Sequence, residues 1–207
     1  MIIGLIVILL FSVILHEIAH GWTALKFGDP TAKYLGRLTL NPIPHLDLFG
    51  SIILPALLAI SGGMIFGWAK PVPVRFDRLR PRRLGIACVA LAGIVTNLII
   101  AVVAGLIFRL FIAVEFSNEF VYSLLFVVVY LNVLLAILNL LPVPPLDGSR
   151  ILTLYASDET IMRLEQMSFV FMIALFLSLP YLFSFLSPII LTVVSFLTGW
   201  QPPRFAL

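Results

Sequence analysis

The first apolar stretch of the chain, residues 2–27, reads IIGLIVILLFSVILHEIAHGWTALKF. It is long enough for a helix to cross a bilayer, and the Gly-Asp-Pro sequence at 28–30 behind it is a typical helix stop. A helix in lipid satisfies its own backbone hydrogen bonds, which favours a helix over irregular structure here. The stretch therefore predicts a transmembrane helix that carries three ionisable side chains within five residues of its second half, His16, Glu17 and His20.

The whole chain has the composition of a membrane protein. Apolar residues make up 61% of its 207 residues and charged residues only 11%, whereas a soluble domain has about 25% charged residues. The net charge of +3 is explained by basic cytoplasmic loops, and no basic stripe with interleaved aromatic residues indicates nucleic-acid binding. The single cysteine, Cys88, excludes an internal disulfide.

Four more apolar runs follow, separated by glycines, prolines and charged loops, at 48–67, 84–114, 120–141 and 166–198. Pro180 and Pro188 interrupt the last run and predict two short helices there, a C-terminal helical hairpin at about 161–199. We therefore expect an all-α polytopic membrane protein with five to six transmembrane or re-entrant helices that contact the lipid bilayer.

The segments between these runs are short. Residues 31–47 are mixed in character and predict a short β-strand or hairpin, with Tyr34–Leu40 as the strand, while residues 151–165 are amphipathic. No stretch is long and polar enough for a second domain. The chain is therefore expected to be a single membrane-embedded domain over residues 1–207, with a catalytic core at about 5–150.

The polar residues of the first helix form the motif H-E-x-x-H. Positions i and i+4 share one face of a helix, so the neutral imidazoles of His16 and His20 can bind one zinc ion. Glu17 is adjacent to a ligand and can act as general base toward a water at that ion. Each buried ionisable group costs at least about 2.5–3.5 kcal/mol in a bilayer, so three within five residues need a partner such as a dication. The alternative is a chance match, or two histidines at the lipid interface.

A catalytic zinc ion usually takes three protein ligands and leaves one position for water. The further candidates are His45, Asp29, Asp47 and Asp147. Prolines at 142, 144 and 145 must break the helix that begins at 120, and broken backbone at membrane depth is tolerated only where it lines protein or a water-filled cavity. Asp147 follows that break and is well placed to be the third ligand. Because Asp-Gly is also a turn signal, a simple turn residue is the alternative.

Other polar residues each allow more than one role. The amide of Asn139 can donate to a substrate carbonyl or to the oxyanion formed from it, and an ordinary interhelical hydrogen bond is the alternative. Asn97 is better explained by an interhelical bond, because Gly93 and small neighbours allow close packing. His45 and Asp47 lie in a loop rich in Pro, Asn and Asp. This indicates that they stabilise turns or form hydrogen bonds to the metal ligands.

Two motifs together, HEIAH at 16–20 and NLLPVPPLDG at 139–148, resemble those of the site-2 protease family of intramembrane zinc metalloproteases. The family pattern is H-E-x-x-H on one transmembrane helix and N-x-x-P-x-x-P-L-D-G at the end of a later one, and the resemblance covers about residues 5–150. It implies one zinc ion held by His16, His20 and Asp147, with Glu17 as the base and Asn139 assisting at the substrate.

The resemblance also implies a substrate, namely a transmembrane helix of another protein that is cut within the membrane. Residues 28–47 are similar to the small bacterial branch of the family, which implies a multi-pass protein of the bacterial cell membrane. No PDZ or CBS domain is recognisable. Ile94 follows Gly93 where members often have proline.

The zinc site predicts a topology. His20 and Asp147 can meet only near the same membrane face, so residues 48–67 are expected to be re-entrant and not to span. With two crossings after residue 165, twelve of the 13 basic residues then lie on one face and Arg109 alone on the other. If 48–67 spanned, the division would be nine to four. The positive-inside rule favours the first arrangement, with the active site open toward the cytoplasm.

The predicted strand suggests how an unwound substrate is held. Tyr34–Leu40 could pair with the substrate backbone through its edge. Water for the hydrolysis would enter from the cytoplasmic side, past the proline-rich segments at 42–47 and 142–148.

Two other functions are compatible with the motifs. A zinc-binding membrane protein without catalysis, such as a transporter or sensor, would need further ligands along a path, and the chain has only three histidines. A structural membrane subunit with a fortuitous motif would bind no metal. Replacing Glu17 by glutamine separates these functions, because only a protease would keep zinc and lose cleavage.

Overall fold

A computed structural model describes residues 2–53, 56, 57, 60 and 69–200 of the chain. The helices of this part are α1 (Ile2–Lys26), α2 (Thr31–Tyr34), α3 (Arg82–Ala113), α4 (Glu119–Leu140), α5 (Asp147–Ile151), α6 (Asp158–Gln166) and α7 (Ser168–Thr198). Short 3-10 turns lie at Ile43–His45 and Leu152–Leu154, and a π-helical turn lies at Leu48–Ile53. Within the described residues, α1, α3, α4 and α7 are long and apolar enough to cross a membrane.

The first, third and fourth helices match the predicted apolar runs to within two residues at each end. The start of α4 is fixed by Asn118, whose side-chain oxygen accepts a hydrogen bond from the backbone N–H of Val121 at 3.1 Å. Its end precedes Pro142, which cannot continue the hydrogen-bond ladder. The all-helical membrane fold is confirmed. The described part has four helices able to span a membrane, and the predicted total of five to six transmembrane or re-entrant helices is not confirmed.

Helices α1 and α3 run antiparallel, and α4 runs parallel to α1. At the end of α1, the carbonyl of Phe27 accepts a hydrogen bond from the N–H of Arg80, which lies just before α3. Toward the start of α1, His20 contacts Val89 and His16 contacts Asn97, further along α3. The contacts of α1 with α4 advance in the same direction along both helices, from Gly4 beside Leu124 to Ser12 beside Asn132. This three-helix arrangement brings the end of α1, the start of α3 and the end of α4 to one end of the bundle.

Small residues of α3 allow close packing against α4 and α7. Ala101 and Ala104 are buried against Val129 of α4 and Ile190 of α7. In lipid, such helices are held together by van der Waals packing and not by exclusion of water, so close approach matters most.

The predicted strand at Tyr34–Leu40 is wrong. Residues 31–47 are all described and form α2, a series of bends and a 3-10 turn, with no strand among them. The buried carboxylate of Asp29 accepts hydrogen bonds from the backbone N–H and the hydroxyl of Thr31, the first residue of α2. Gly36 has a positive φ of 65° in the turn that follows this helix. Edge pairing by a strand at 34–40 therefore loses its structural basis.

The predicted C-terminal hairpin is also wrong, because α7 is one continuous helix through both prolines. Proline removes an N–H from the helix and leaves the carbonyl four residues earlier without its usual donor. Before Pro188 that carbonyl belongs to Ser184, and the hydroxyl of Ser187 donates to it at 3.2 Å. In membrane helices such side-chain hydroxyls allow proline inside the helix.

The single crossing of α7 changes the predicted division of charge. Eleven basic residues lie at the end of the bundle that holds His20 and Asp147. Eight are in the segments between α1 and α3 or between α4 and α7, and Lys26, Arg82 and Arg83 are at the adjoining ends of α1 and α3. Arg109 lies near the opposite end, where its guanidinium donates to the carbonyls of Phe196 and Leu197 at the end of α7. Arg204 is the twelfth basic residue that was predicted to lie on this face, and it lies outside the described residues. That prediction required a second crossing after residue 165, whereas α7 is a single helix.

Most of the predicted re-entrant segment at 48–67 lies outside the described residues. Its described part includes the π-helical turn at Leu48–Ile53. Both flanks of the region between α1 and α3 are described, and they meet at the same end of the bundle, as the Phe27–Arg80 hydrogen bond shows. The region as a whole makes no net crossing.

Candidate metal centre

Two imidazoles share one face of α1. His16 and His20 lie one turn apart, are both buried, and have ring centroids 4.5 Å apart with planes at 88°. Their Nε2 atoms are separated by 2.9 Å. Two nitrogens at this distance either share one proton or point their lone pairs at one ion.

A carboxylate from the second motif reaches the same point. After α4 ends at Leu140, the proline-rich turn leads into α5, and Asp147 is the first residue of that helix. Its Oδ2 lies 3.0 Å from Nε2 of His16 and 3.3 Å from Nε2 of His20. The turn packs tightly against the end of α4, since a Cβ on Gly148 would overlap the backbone carbonyl of Leu140.

The three ligand atoms suit a zinc ion. Atoms bonded tetrahedrally to zinc at about 2.0–2.1 Å lie about 3.3 Å apart, close to the observed 2.9, 3.0 and 3.3 Å. Among the described residues, Asp147 Oδ2 is buried without accepting a hydrogen bond of normal geometry. Two imidazoles and one carboxylate are a usual ligand set for catalytic zinc, with one position left for water.

The charge state of the carboxylate also suits a cation. Burial raises the pKa of the Asp147 carboxyl, but the neighbouring imidazoles of His16 and His20 lower it more, to about 2. The group is therefore ionised at neutral pH.

Helix α3 packs against both imidazoles. The Nδ1–H of His20 donates to the carbonyl of Val89 at 2.7 Å, which leaves its Nε2 free to bind a metal. Gly93 leaves room for the ring of His16, because a Cβ there would lie 2.5 Å from the ring. Sequence reasoning identified Gly93 as a packing residue but gave no signal for Val89, whose role depends on its backbone carbonyl.

Glu17 contacts the segment at 69–76, here called the strap, which contains no helix or strand. Its Oε2 accepts a hydrogen bond from the backbone N–H of Val72 at 2.6 Å. The strap is held by the buried Arg37, which donates to the carbonyls of Lys70 and Pro71. The fully buried Asp29 also holds it, by accepting from the N–H of Arg75 at 2.6 Å.

A cavity of about 350 Å³ joins these groups. Its lining includes the three candidate ligands together with Glu17, Asn139, Val72, Phe76 and Arg150. The amide of Asn139, which lines the cavity, donates one hydrogen bond to the carbonyl of Leu135 in its own helix. All five predicted site residues therefore lie around one space.

The three other candidates for the third ligand make different contacts: Asp29 holds the strap, and His45 and Asp47 form hydrogen bonds in loops. The Nε2 of the buried His45 is 2.9 Å from the carbonyl of Thr39, and the carboxylate of Asp47 accepts from the N–H of Gly50 at 2.7 Å. Within the described residues, the one group of three or more metal-binding side chains able to share an ion is His16, His20 and Asp147.

Several known proteins with similar sequences are named as zinc metalloproteases. The profile of Peptidase family M50 matches residues 112–180. The Bacillus subtilis protein named "Putative zinc metalloprotease YwhC" is 42% identical over 153 residues, which cover 72% of this chain and 67% of that protein. Two proteins named "Putative zinc metalloprotease Rip2" are also similar. The one from Mycolicibacterium smegmatis is 34% identical over 73% of this chain and 56% of its own length, and the one from Mycobacterium tuberculosis H37Rv is 33% identical over 82% and 64%. No solved structure matches the chain significantly.

A bundle of membrane-spanning helices that contains an H-E-x-x-H motif and a converging aspartate defines a membrane metalloprotease. The chain belongs to peptidase family M50, the site-2 protease family of zinc metalloproteases. It spans about two thirds of the length of YwhC and less of the two Rip2 proteins.

Proposed function

We propose that this chain is an intramembrane zinc metalloendopeptidase that cuts transmembrane segments of other membrane proteins. One zinc ion is held by His16, His20 and Asp147, and Glu17 is the general base. The observation that carries this proposal is the convergence of three ligand atoms, from helices far apart in sequence, beside Glu17 in one cavity. A transporter would need further groups of ligands, and the described residues contain none.

Different residues of the chain would carry out different steps of the hydrolysis. Zinc bound at this site would activate a water for attack and polarise the peptide carbonyl. The carboxylate of Glu17 would take the proton of the attacking water and return it to the leaving amine, after exchanging its hydrogen bond with Val72. The amide of Asn139 would donate to the substrate oxygen as negative charge develops there.

The substrate must reach this cavity in an unwound form, because a helix hides its carbonyls in its own hydrogen bonds. Irregular backbone lines the cavity at Pro145 and Leu146, the last residues of the broken segment 141–146, and along the strap. Eleven basic residues lie at this end of the bundle. By the positive-inside rule that end faces the cytoplasm, so water and substrate would enter from the cytoplasmic side of a bacterial cell membrane.

Glu17→Gln tests the proposal. The wild-type chain, Glu17→Gln and His16→Ala are each expressed in bacterial cells and purified for zinc analysis, and new N-termini in the membrane fractions are mapped by mass spectrometry. We expect one zinc per chain in the wild type and in Glu17→Gln, and none in His16→Ala. New N-termini within transmembrane segments should appear with the wild type alone, since loss of a general base costs about 10²–10⁴-fold in rate.

Two results would contradict the proposal. Wild-type protein without zinc would remove the metal site. Identical N-termini with the wild type and Glu17→Gln would remove the catalytic role and favour a non-catalytic zinc protein.

A further inference from the structure

Asn97 lies deep in α3, against the first candidate ligand. It is fully buried, and its Nδ2 lies 3.2 Å from Nδ1 of His16. Gly93, one turn earlier, contacts the same ring. The imidazole of His16 is therefore enclosed by α3 on the side away from His20 and Asp147.

The hydrogen-bond pattern of this contact depends on which way the amide is turned. As placed, the N–H of Asn97 points at Nδ1 of His16, and its Oδ1 is buried with no partner in the described part of the chain. An unpaired buried oxygen of this kind is costly. The oxygen and nitrogen of an amide are distinguished only by their hydrogen bonds, so the reverse orientation must be considered.

The metal site favours the reverse orientation. Nε2 of His16 faces the other two ligand atoms, so a metal takes its lone pair. A neutral imidazole must then carry its proton on Nδ1, and that buried N–H needs an acceptor. Turning the amide of Asn97 supplies this acceptor and satisfies its orphaned oxygen at the same time.

We propose that Asn97 is a positioning residue of the zinc site, whose Oδ1 accepts a hydrogen bond from Nδ1–H of His16. This inference rests on the proposed zinc site. Helix α3 then orients both imidazoles, since the carbonyl of Val89 has the same role toward His20. A backbone carbonyl is present whatever the residue, whereas the acceptor for His16 depends on the side chain at position 97.

A second asparagine provides a matched control. Asn132 in α4 is also fully buried, and its Oδ1 is also without a partner among the described residues. Its amide donates to Ser12 Oγ at 2.9 Å, so it contacts α1 one turn away from His16. Replacing either asparagine by leucine removes a buried amide of the same size, but only Asn97 contacts a ligand.

The experiment measures the zinc dissociation constant of the detergent-purified full chain by competition with a chromophoric chelator, and its thermal unfolding. We expect Asn97→Leu to weaken zinc binding by about 10–100-fold, as with other outer partners of metal-binding histidines. Asn97→Asp retains an acceptor and should stay within a few-fold of the wild type. Asn132→Leu should keep wild-type zinc affinity even if its unfolding temperature falls.

Several outcomes would overturn the inference. Wild-type zinc affinity in Asn97→Leu would do so, as would equal losses in Asn97→Leu and Asn132→Leu, or in Asn97→Leu and Asn97→Asp. If Asn97→Leu does not fold, the smaller Asn97→Val replaces it with the same expected loss. A wild-type chain that binds no zinc would instead contradict the proposed function.

Discussion

The imidazole ligands and the carboxylate ligand of the candidate zinc site are built in different ways. His16 and His20 lie on an unbroken helix, whose geometry alone puts them one turn apart. Asp147 follows a break in the helical structure, and its position depends on how the turn at 141–146 packs against α4. One half of the site is therefore set locally and the other by tertiary contacts. Mutations that disturb the packing of the turn should reveal this difference.

The largest effect is expected from removing the carboxylate itself. Asp147→Ala should lose stoichiometric zinc and all cleavage, because two imidazoles alone leave the ion without its third protein ligand. Zinc content by elemental analysis and new N-termini in membranes are the measurements. Asp47→Ala, which removes the turn aspartate beside Gly50, is the control and should keep both. Full zinc content in Asp147→Ala would show that the two motifs do not share an ion.

The next prediction compares the effect of a glycine-to-alanine substitution in each half of the site. A Cβ at Gly148 would overlap the rigid backbone carbonyl of Leu140, whereas a Cβ at Gly93 would meet the side chain of His16. We expect Gly148→Ala to destabilise the fold by about 1–3 kcal/mol or more and to displace Asp147. Gly93→Ala should displace the His16 ring, so it should lower zinc affinity with a smaller loss of stability.

Thermal unfolding and zinc competition on the two purified variants separate these effects. Gly4→Ala in α1, where a Cβ would lie 3.2 Å from a Leu124 methyl, is the control for adding a methyl group to a packed helix. Equal stability losses in Gly148→Ala and Gly93→Ala would mean that the turn is no more rigid than the helix face.

The same contrast explains how much could be predicted from the sequence. The bounds of α1, α3 and α4 follow from runs of apolar residues, and the His16–His20 pair follows from helix periodicity, because both depend on local sequence. That Asp147 lies near them was expected from the helix break and the family pattern, and its role as a ligand stays a prediction.

The remaining features depend on contacts that the sequence does not show. The strand at Tyr34–Leu40 was predicted from local composition, but the buried carboxylate of Asp29 and the positive φ of Gly36 impose turns. The prolines of α7 indicated a break, yet the helix continues through both, and at Pro188 the hydroxyl of Ser187 donates to the carbonyl that lacks its usual N–H donor. The hydrogen bond between Val72 and Glu17 joins residues 55 positions apart through a backbone N–H. No pattern of side chains could have predicted it.

A smaller and more selective effect is expected at the end of α4. Asn139→Leu should lower kcat by about 10²–10³-fold if its N–H stabilises the oxyanion, with zinc content unchanged. Asn118→Ala, at the other end of the same helix, removes the cap on Val121 and should cost about 1 kcal/mol of stability without changing kcat. Both are measured with a membrane substrate identified from the new N-termini. Unchanged turnover in Asn139→Leu would mean that Asn139 does not stabilise the oxyanion and only forms its hydrogen bond to the carbonyl of Leu135.

The smallest effect is expected furthest from the site. The exposed guanidinium of Arg109 donates to carbonyls at the end of α7, where a positive charge stabilises a helix C-terminus by about 0.3–1 kcal/mol. Arg109→Ala should therefore lower the unfolding temperature by about 1–4 °C and leave the zinc dissociation constant unchanged. The contact exists only because α7 crosses once and ends beside the end of α3. A loss of zinc affinity in Arg109→Ala would mean that the packing of α7 controls the position of Asp147 as strongly as the turn does. The site could then no longer be divided into one half set locally and one half set by tertiary contacts.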